Sequence, residues 1–320
     1  MPIAKLCRLL LPLASAAVLV ACAPLSDVED DDEESEETDE ALKDVVTFDV
    51  ITHNIAGGML NYGDAKALKT IEAAIDDARP DAVMLQEVCA TQAAQFQANH
   101  PAWAVEFRVT RPSHPNCGPL GHLIATPHGL TNVEETDLGY ADPGKSVILL
   151  CGDTSFENRK GTVRICGTHL RARGDDPVAA DEAKRKEVLR MVETLRPHVN
   201  AGKAVIVAGD MNAGPRKELL DPMYRLKLNG NWGGGQFDEA DQTDPKREQY
   251  KDKGVICAPN ACRSGEPTHD NSKIDHIFFS NNMIAGDIEA RVGNKGNSDH
   301  NLYRGSAVLA LPKKKKKKND

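Results

Sequence analysis

The chain has 320 residues, 40% of them hydrophobic and 27% charged, with a formal charge of −9. That balance excludes the basic footprint of a protein that grips nucleic acid by charge alone. At 4% aromatic residues, a base-stacking platform is not evident. An acidic body still admits a metal ion between the protein and an anionic substrate.

The first element is not part of a fold. Lys5 and Arg8 precede the apolar run LLLPLASAAVLVAC, which is short for a membrane span and fits a secretory signal. Its end, Leu19 to Cys22, resembles a bacterial lipobox. Residues 1–21 are therefore expected to be a lipoprotein signal, with Cys22 as the lipidated residue. The protein would then be exported and anchored in the cell envelope. An ordinary signal or a buried apolar helix are the alternatives. Residues 22–42 hold eleven acids between Asp27 and Glu40 and no apolar periodicity, so they read as a disordered, self-repelling tether. Residues 43–312 are long enough for one large domain. Residues 313–320, with six lysines, are either a phosphate-touching or a merely solvated tail.

Within the body, VVTFDVITHNIAGG reads as a strand running into a glycine turn. Ala67, Leu68, Ile71, Ala74, Ile75 and Ala78 recur at helical spacing until Pro80. DAVMLQEV is a second buried strand, and SVILLCGDTSFENRKGTVRICGTHL reads as two strands around a polar turn. The stretch ADEAKRKEVLRMVETLRPHV predicts an amphipathic helix with Val188, Leu189, Val192 and Leu195 on one side and its charges elsewhere. KAVIVAGDMN, KIDHIFFS and GSAVLALP are further strands, whereas Leu219 to Ser272 reads as a long irregular excursion. The alternation predicts an α/β fold with a mixed sheet covered by helices.

Eight cysteines include Cys7 in the signal and Cys22. The remaining six form an even set in an exported chain, which reads as disulfides in preference to zinc. One pairing follows from geometry. A hairpin centred on Asn158–Arg159 sets Cys151 opposite Cys166, and opposed Cα atoms about 4.5 Å apart suit a disulfide. The rest most simply pair as Cys89–Cys117 and Cys257–Cys262.

Polar residues recur where strands stop: Asn54, Glu87, His169, Asp210 with Asn212, Asp275, and Asp299–His300. Each alone has a structural explanation as a cap, turn former or satisfied histidine. The pieces THNI, LQEV, GTHL, GDMN, IDHIFF and SDH, in this order from Thr52 to His300, resemble the endonuclease/exonuclease/phosphatase superfamily of metal-dependent phosphoesterases.

That resemblance implies a four-layer sandwich, with two packed mixed β-sheets flanked by helices. It implies Mg²⁺, with Mn²⁺ or Ca²⁺ as alternatives, held mainly by Glu87 with Asn54 and Asp299 nearby. His300 would be the general base or proton carrier, oriented by Asp275. Asp210 would orient the attacking water, Asn212 would hold water or phosphate, and His169 would bond a non-bridging oxygen. Arg171 and Arg173 are candidate phosphate ligands. Departures from the pattern are His122 in GHLIATP, which has no assigned part, and the lack of a second metal-site glutamate between Glu106 and Gly121. The implied activity is phosphodiester hydrolysis by a monomer with no protein partner, with extracellular nucleic acid as the leading substrate. A phospholipid or inositol-phosphate substrate is the alternative, and a non-catalytic binding module of the same fold is a third reading.

Overall fold

In the computed structural model, residues 45–139, 144–172, 174–225, 235–243, 263 and 265–311 are described. The signal, Cys22, the tether, Arg173, Cys257, Cys262 and the lysine tail lie outside them. Strand β1 (Val45–Asn54) ends in the run Thr52–His53–Asn54, which is entirely buried. A 3-10 turn (Ala65–Leu68) and helix α1 (Lys69–Ala78) follow, and Arg79 closes the helix in the left-handed region just before Pro80. Next come β2 (Ala82–Cys89) and α2 (Ala90–Asn99), whose first turn is tied by the Gln92 side chain accepting from Cys89 N at 2.9 Å. Then come β3 (Ala104–His114), β4 (Gly118–Thr126), β5 (Thr131–Asp137), β6 (Ile148–Thr154) and β7 (Val163–His169).

Helix α3 (Pro177–Asn200) has proline at its first position. Its N-cap Asp176 accepts from the amides of Val178 and Ala179 at 3.0 and 3.1 Å, satisfying donors that a helix start leaves open. The chain continues through β8 (Ala204–Asp210), β9 (Phe237–Glu239), a short helical turn (Ala240–Thr243), β10 (Asp275–Ser280), β11 (Ile284–Val292) and β12 (Tyr303–Ala310). No helix among the described residues is long and apolar enough to cross a membrane.

The strands form two six-stranded sheets, ordered β11-β12-β1-β2-β4-β3 and β5-β6-β7-β8-β10-β9. Both are mixed: β1 runs parallel to β2, and β7 to β8, while the other pairings are antiparallel. Alternation along each strand assigns the faces. Ile206 and Ala208 join Phe48, Val50, Met84, Ile124 and Ile277 between the sheets. Val205 and Val207 point the other way, against Val188, Met191 and Leu195 of α3. Ile51, Val83 and Leu85 face outward from the first sheet onto Ile71, Ile75 and Phe96 of α1 and α2. The result is the four-layer sandwich of two packed mixed sheets with helices on both outer faces.

Helix α3 differs from its sequence reading in two ways. Leu189 is 41% exposed, and Met191 takes the core position instead. Lys184 and Glu187, read as outward charges, are buried at 3% and 1% exposure. The register Cys151↔Cys166 puts those residues opposite each other on β6 and β7, and they are bonded. Cys89 is bonded to Cys117.

Candidate active site

Three adjacent strands end at one level. His169 on β7 is the parallel register partner of Asp210 on β8, and Asp275 on β10 is the antiparallel partner of the same Asp210. Gly209 makes this row compact, because a Cβ there would lie 1.9 Å from the Thr168 carbonyl oxygen. Asp210 is 1% exposed and sits between two imidazoles: its Oδ2 is 3.3 Å from His169 Nε2 and 3.6 Å from His300 Nε2. Burial pushes the Asp210 carboxyl above its ordinary range, against the pull of His169.

His300 arrives from the loop before β12. Its Nδ1 is 2.8 Å from Asp275 Oδ2. Burial alone would lower the imidazole. The Asp275 hydrogen bond and charge outweigh it, aided by Asp210 and Asp299, and lift His300 to about 9. The reciprocal effect holds Asp275 below its ordinary range despite burial. Asp275 is fixed in turn by its amide, which donates to Thr268 Oγ1 at 3.0 Å, and Lys273 Nζ donates to its carbonyl at 3.1 Å. His53, on β1, packs behind with Nε2 2.9 Å from the His300 carbonyl oxygen. Burial brings His53 down to about 4.

The opposite lip comes from β1 and β2. The β2–β4 register shifts between Leu85 and Val88, a bulge that contains Gln86 and Glu87. Gln86 is a structural clamp, its Nε2 donating to Thr52 Oγ1 and the Met84 carbonyl. Glu87 takes a positive φ of 55°, unusual for a residue with a Cβ, and the bulge re-aims its side chain. Asn54 Nδ2 donates to Glu87 Oε1 at 3.0 Å and to Asp210 Oδ2 at 3.3 Å, so this amide joins the two sheets. Its oxygen accepts from Ala56 N at 3.1 Å.

Asp299 has a half-exposed side chain and lies 3.7 Å from His269 Nε2, with the His269 and His300 rings 4.5 Å apart. The ligand atoms of His269, Asp299 and His300 converge, as do those of Asp210, Asp275 and His300. Glu87 belongs to neither cluster and reaches them through Asn54. The donors that line this junction are mainly oxygens, and Asp275 Oδ1 is buried without a hydrogen-bond partner. A hard divalent cation that keeps part of its water suits such a set. The carboxylates whose ligand atoms converge are Asp299 in the first cluster and Asp210 with Asp275 in the second.

Asn212 also adopts a positive φ, 46°. Its amide hydrogen-bonds Asp210 Oδ1 at 2.8 Å, and its Nδ2 donates to the Leu170 carbonyl at 2.9 Å. Part of its donor capacity is therefore spent on the loop, and Lys184 Nζ braces its carbonyl at 2.7 Å. A cleft of about 530 Å³ adjoins the lips, lined among others by Glu87, Arg111, His122, Lys145, His169 and Arg171. Arg171 lies against the buried Glu187, its amide donating to Oε2 at 3.2 Å. Burial pushes Glu187 up to about 7, against the pull of Arg171. Sequence reasoning did not find His53, His269, Lys184 or Glu187; the last three lie at no strand end read from the sequence, and His53 stands beside Asn54 in the last run of β1.

No curated protein matches the chain. Solved structures with the same fold include an endonuclease/exonuclease/phosphatase family protein from Bacteroides thetaiotaomicron, 12% identical, covering 83% of this chain and 98% of that one with a TM-score of 0.60. The human Nocturnin catalytic domain with bound sulfate anion is 17% identical, covering 84% and 99%, with a TM-score of 0.59. TDP2 from Caenorhabditis elegans is 14% identical, covering 83% and 75%, with a TM-score of 0.57. The family profile itself matches residues 51–300, the span that delivers every strand-end residue of the site. The chain therefore belongs to the Endonuclease/Exonuclease/phosphatase family, whose members are metal-dependent phosphoesterases, and it is a hydrolase of that class.

Proposed function

We propose that the protein is an exported, membrane-tethered, Mg²⁺-dependent phosphodiesterase that hydrolyses extracellular nucleic acid. The observation that carries phosphodiester hydrolysis is the position of Asp210, shared between His169 and His300 in a buried row with Asp275. Bound Mg²⁺ would supply charge neutralisation at the phosphoryl oxygens. The chain supplies the proton handling. Asp210, with its raised affinity for a proton, is the acceptor for the attacking water. His300 carries a proton at neutral pH and presents Nε2 on the same side, with Nδ1 locked by Asp275. It thus serves as donor to the departing oxygen, whereas the sequence alone left base and proton carrier together. The Glu87 and Asn212 side chains are held by hydrogen bonds with Asn54 Nδ2 and the Leu170 carbonyl, respectively, which limits the geometries they must search.

Nucleic acid is favoured by Arg111, Lys145 and Arg171 along the cleft of an otherwise acidic chain. The sulfate in the human Nocturnin domain is consistent with an anion site in this fold. Export is supported by the signal-like N-terminus and by two disulfides among the described residues. Lipidation at Cys22 is tested by Cys22→Ser, which is expected to leave the membrane fraction; membrane retention of that variant would end the anchor proposal.

A specific observation favours the second reading, a phospholipid or inositol-phosphate ester. Met59, Leu60 and Tyr62 are 64%, 49% and 67% exposed, and Met59 borders the cleft. Asn61 between them is buried and donates to the carbonyls of Ile55 and Asn297, which turns its neighbours outward. Purified protein assayed on plasmid DNA, RNA, sphingomyelin vesicles and inositol phosphates, with Mg²⁺ or with EDTA, separates the readings. Mg²⁺-dependent cleavage of DNA or RNA is expected. Cleavage of lipid or inositol phosphate alone replaces the first reading with the second, and no cleavage at all leaves the binding module.

A further inference from the structure

His122 takes no part in the row of acids and imidazoles described above. On β4 it alternates with Leu123 and Ala125, which pack toward α1 and α2, and shares its side with Ile124, which packs between the sheets. It thus occupies an inner-face position where the inter-sheet layer opens into the cleft, a place an aliphatic side chain would fill. The imidazole is 3% exposed, and neither Nδ1 nor Nε2 completes a hydrogen bond. A contact with the Gly121 backbone favours the protonated ring but falls short of hydrogen-bond geometry at either nitrogen. A buried polar group left unpaired is destabilising, so a partner from outside the chain is its natural complement. That partner must enter the cleft, where His122 stands with Glu87, Arg171 and His169, its ring centroid 5.9 Å from that of His169.

We propose that His122 is a substrate-contacting residue that donates a hydrogen bond from its neutral ring to a non-bridging oxygen of the phosphoryl group. Burial, with His169 beside it, brings its imidazole down to about 3, so at neutral pH it offers one N–H and one lone pair. A phosphate oxygen accepts from the N–H, and the cleft's cations carry the net charge. The inference rests on the phosphoesterase assignment but not on the choice between nucleic acid and lipid, since both bring the same phosphoryl group.

The test uses inorganic phosphate and a soluble phosphodiester, bis(p-nitrophenyl) phosphate, on full-length protein with Mg²⁺. Wild type is expected to rise in melting temperature with phosphate. His122→Leu, which removes the unpaired group at similar volume, is expected to melt no lower than wild type without phosphate and to lose most of the phosphate-dependent rise. Its inhibition constant for phosphate and its KM are expected to increase about tenfold or more, the scale of one hydrogen bond to a charged group. His122→Asn, which keeps an N–H donor, is expected to recover part of both. Unchanged phosphate inhibition in His122→Leu overturns the inference, as does a wild type that phosphate does not stabilise. A variant that melts below wild type yet keeps normal phosphate inhibition also overturns it and makes the residue structural. If wild type binds phosphate through His122 but hydrolyses no diester, the activity reading fails and the contact stands. If wild type hydrolyses and His122→Leu is indistinguishable, only the contact fails.

Discussion

Asp210 and Asp275 are register partners across β8 and β10, and their environments push their proton affinities in opposite directions. Two neighbouring acids divided in this way have separate tasks. Asp275 remains ionised against His300, and Asp210 is free to exchange a proton.

His300→Ala is expected to reduce turnover by about 10²–10⁴-fold, the range of a lost general acid or base. His169→Ala should cost less. Asp275→Asn should fall between, with a second signature. Without the Asp275 charge, His300 can no longer be held near 9. A reaction that needs protonated His300 then loses rate at lower pH than wild type. The pH profile of kcat checks this, and an unshifted alkaline limb would remove His300 as the donor.

Glu87→Gln keeps the shape of the bulge and the Asn54 contact but removes a negative charge. Turnover is expected to drop by orders of magnitude at low Mg²⁺, with part of it restored as Mg²⁺ is raised. A Mg²⁺ titration of activity reads this directly. A variant with the wild-type curve takes Glu87 out of the metal site.

The Cys151–Cys166 bond closes a loop of sequence separation 15. In the chain-entropy account a bond of this span stabilises by about 3 kcal/mol. Replacing both cysteines by alanine is expected to lower the denaturant midpoint accordingly. Non-reducing peptide mapping should return Cys151 with Cys166 and Cys89 with Cys117. We also propose Cys257 with Cys262.

A buried charge cluster makes an acid-stability prediction. Lys273 Nζ lies 3.0 Å from Glu239 Oε1 and 3.8 Å from the Tyr303 ring centroid, and Tyr303 donates to Glu239 at 2.9 Å. Burial raises Glu239, but Lys273 and His276 outweigh it and bring its pKa to about 2. A depressed carboxylate contributes stability that is full above its unfolded value, about 4.3, and is lost as pH falls through about 2. Glu239→Gln is expected to be less stable than wild type at pH 7, by about 3–5 kcal/mol for a broken buried pair. The gap should narrow between pH 4.5 and 2, as followed by urea unfolding at each pH. A constant gap would mean that Glu239 is not the titrating group.

The sequence made legible those parts of the molecule whose signal is local. β8 announced itself because Ala204–Asp210 is buried on both faces and so reads as an unbroken apolar run. The Cys151–Cys166 pairing was readable because a hairpin fixes its own register. Helix α2 was not, since in ATQAAQFQAN only Gln92, Ala93 and Phe96 are buried, too thin a stripe to show period. Lys184 and Glu187 were misread because a charged residue on a helix looks solvated until a loop such as 210–213 closes over it. His269 and His53 join the site through contacts 31 and 247 positions along the chain from His300, a separation no spacing rule reaches.

Cys166 is wholly buried and Cys151 is 2% exposed, in the layer that β6, β7 and β8 share with α3. Once Val188, Met191 and Leu195 settle on that surface, no oxidant or reductant can touch the pair without lifting the helix. The bond must therefore be made while the chain is still open. In the finished protein, mild reductants should leave it intact, so its oxidation state is a record of how the molecule was assembled.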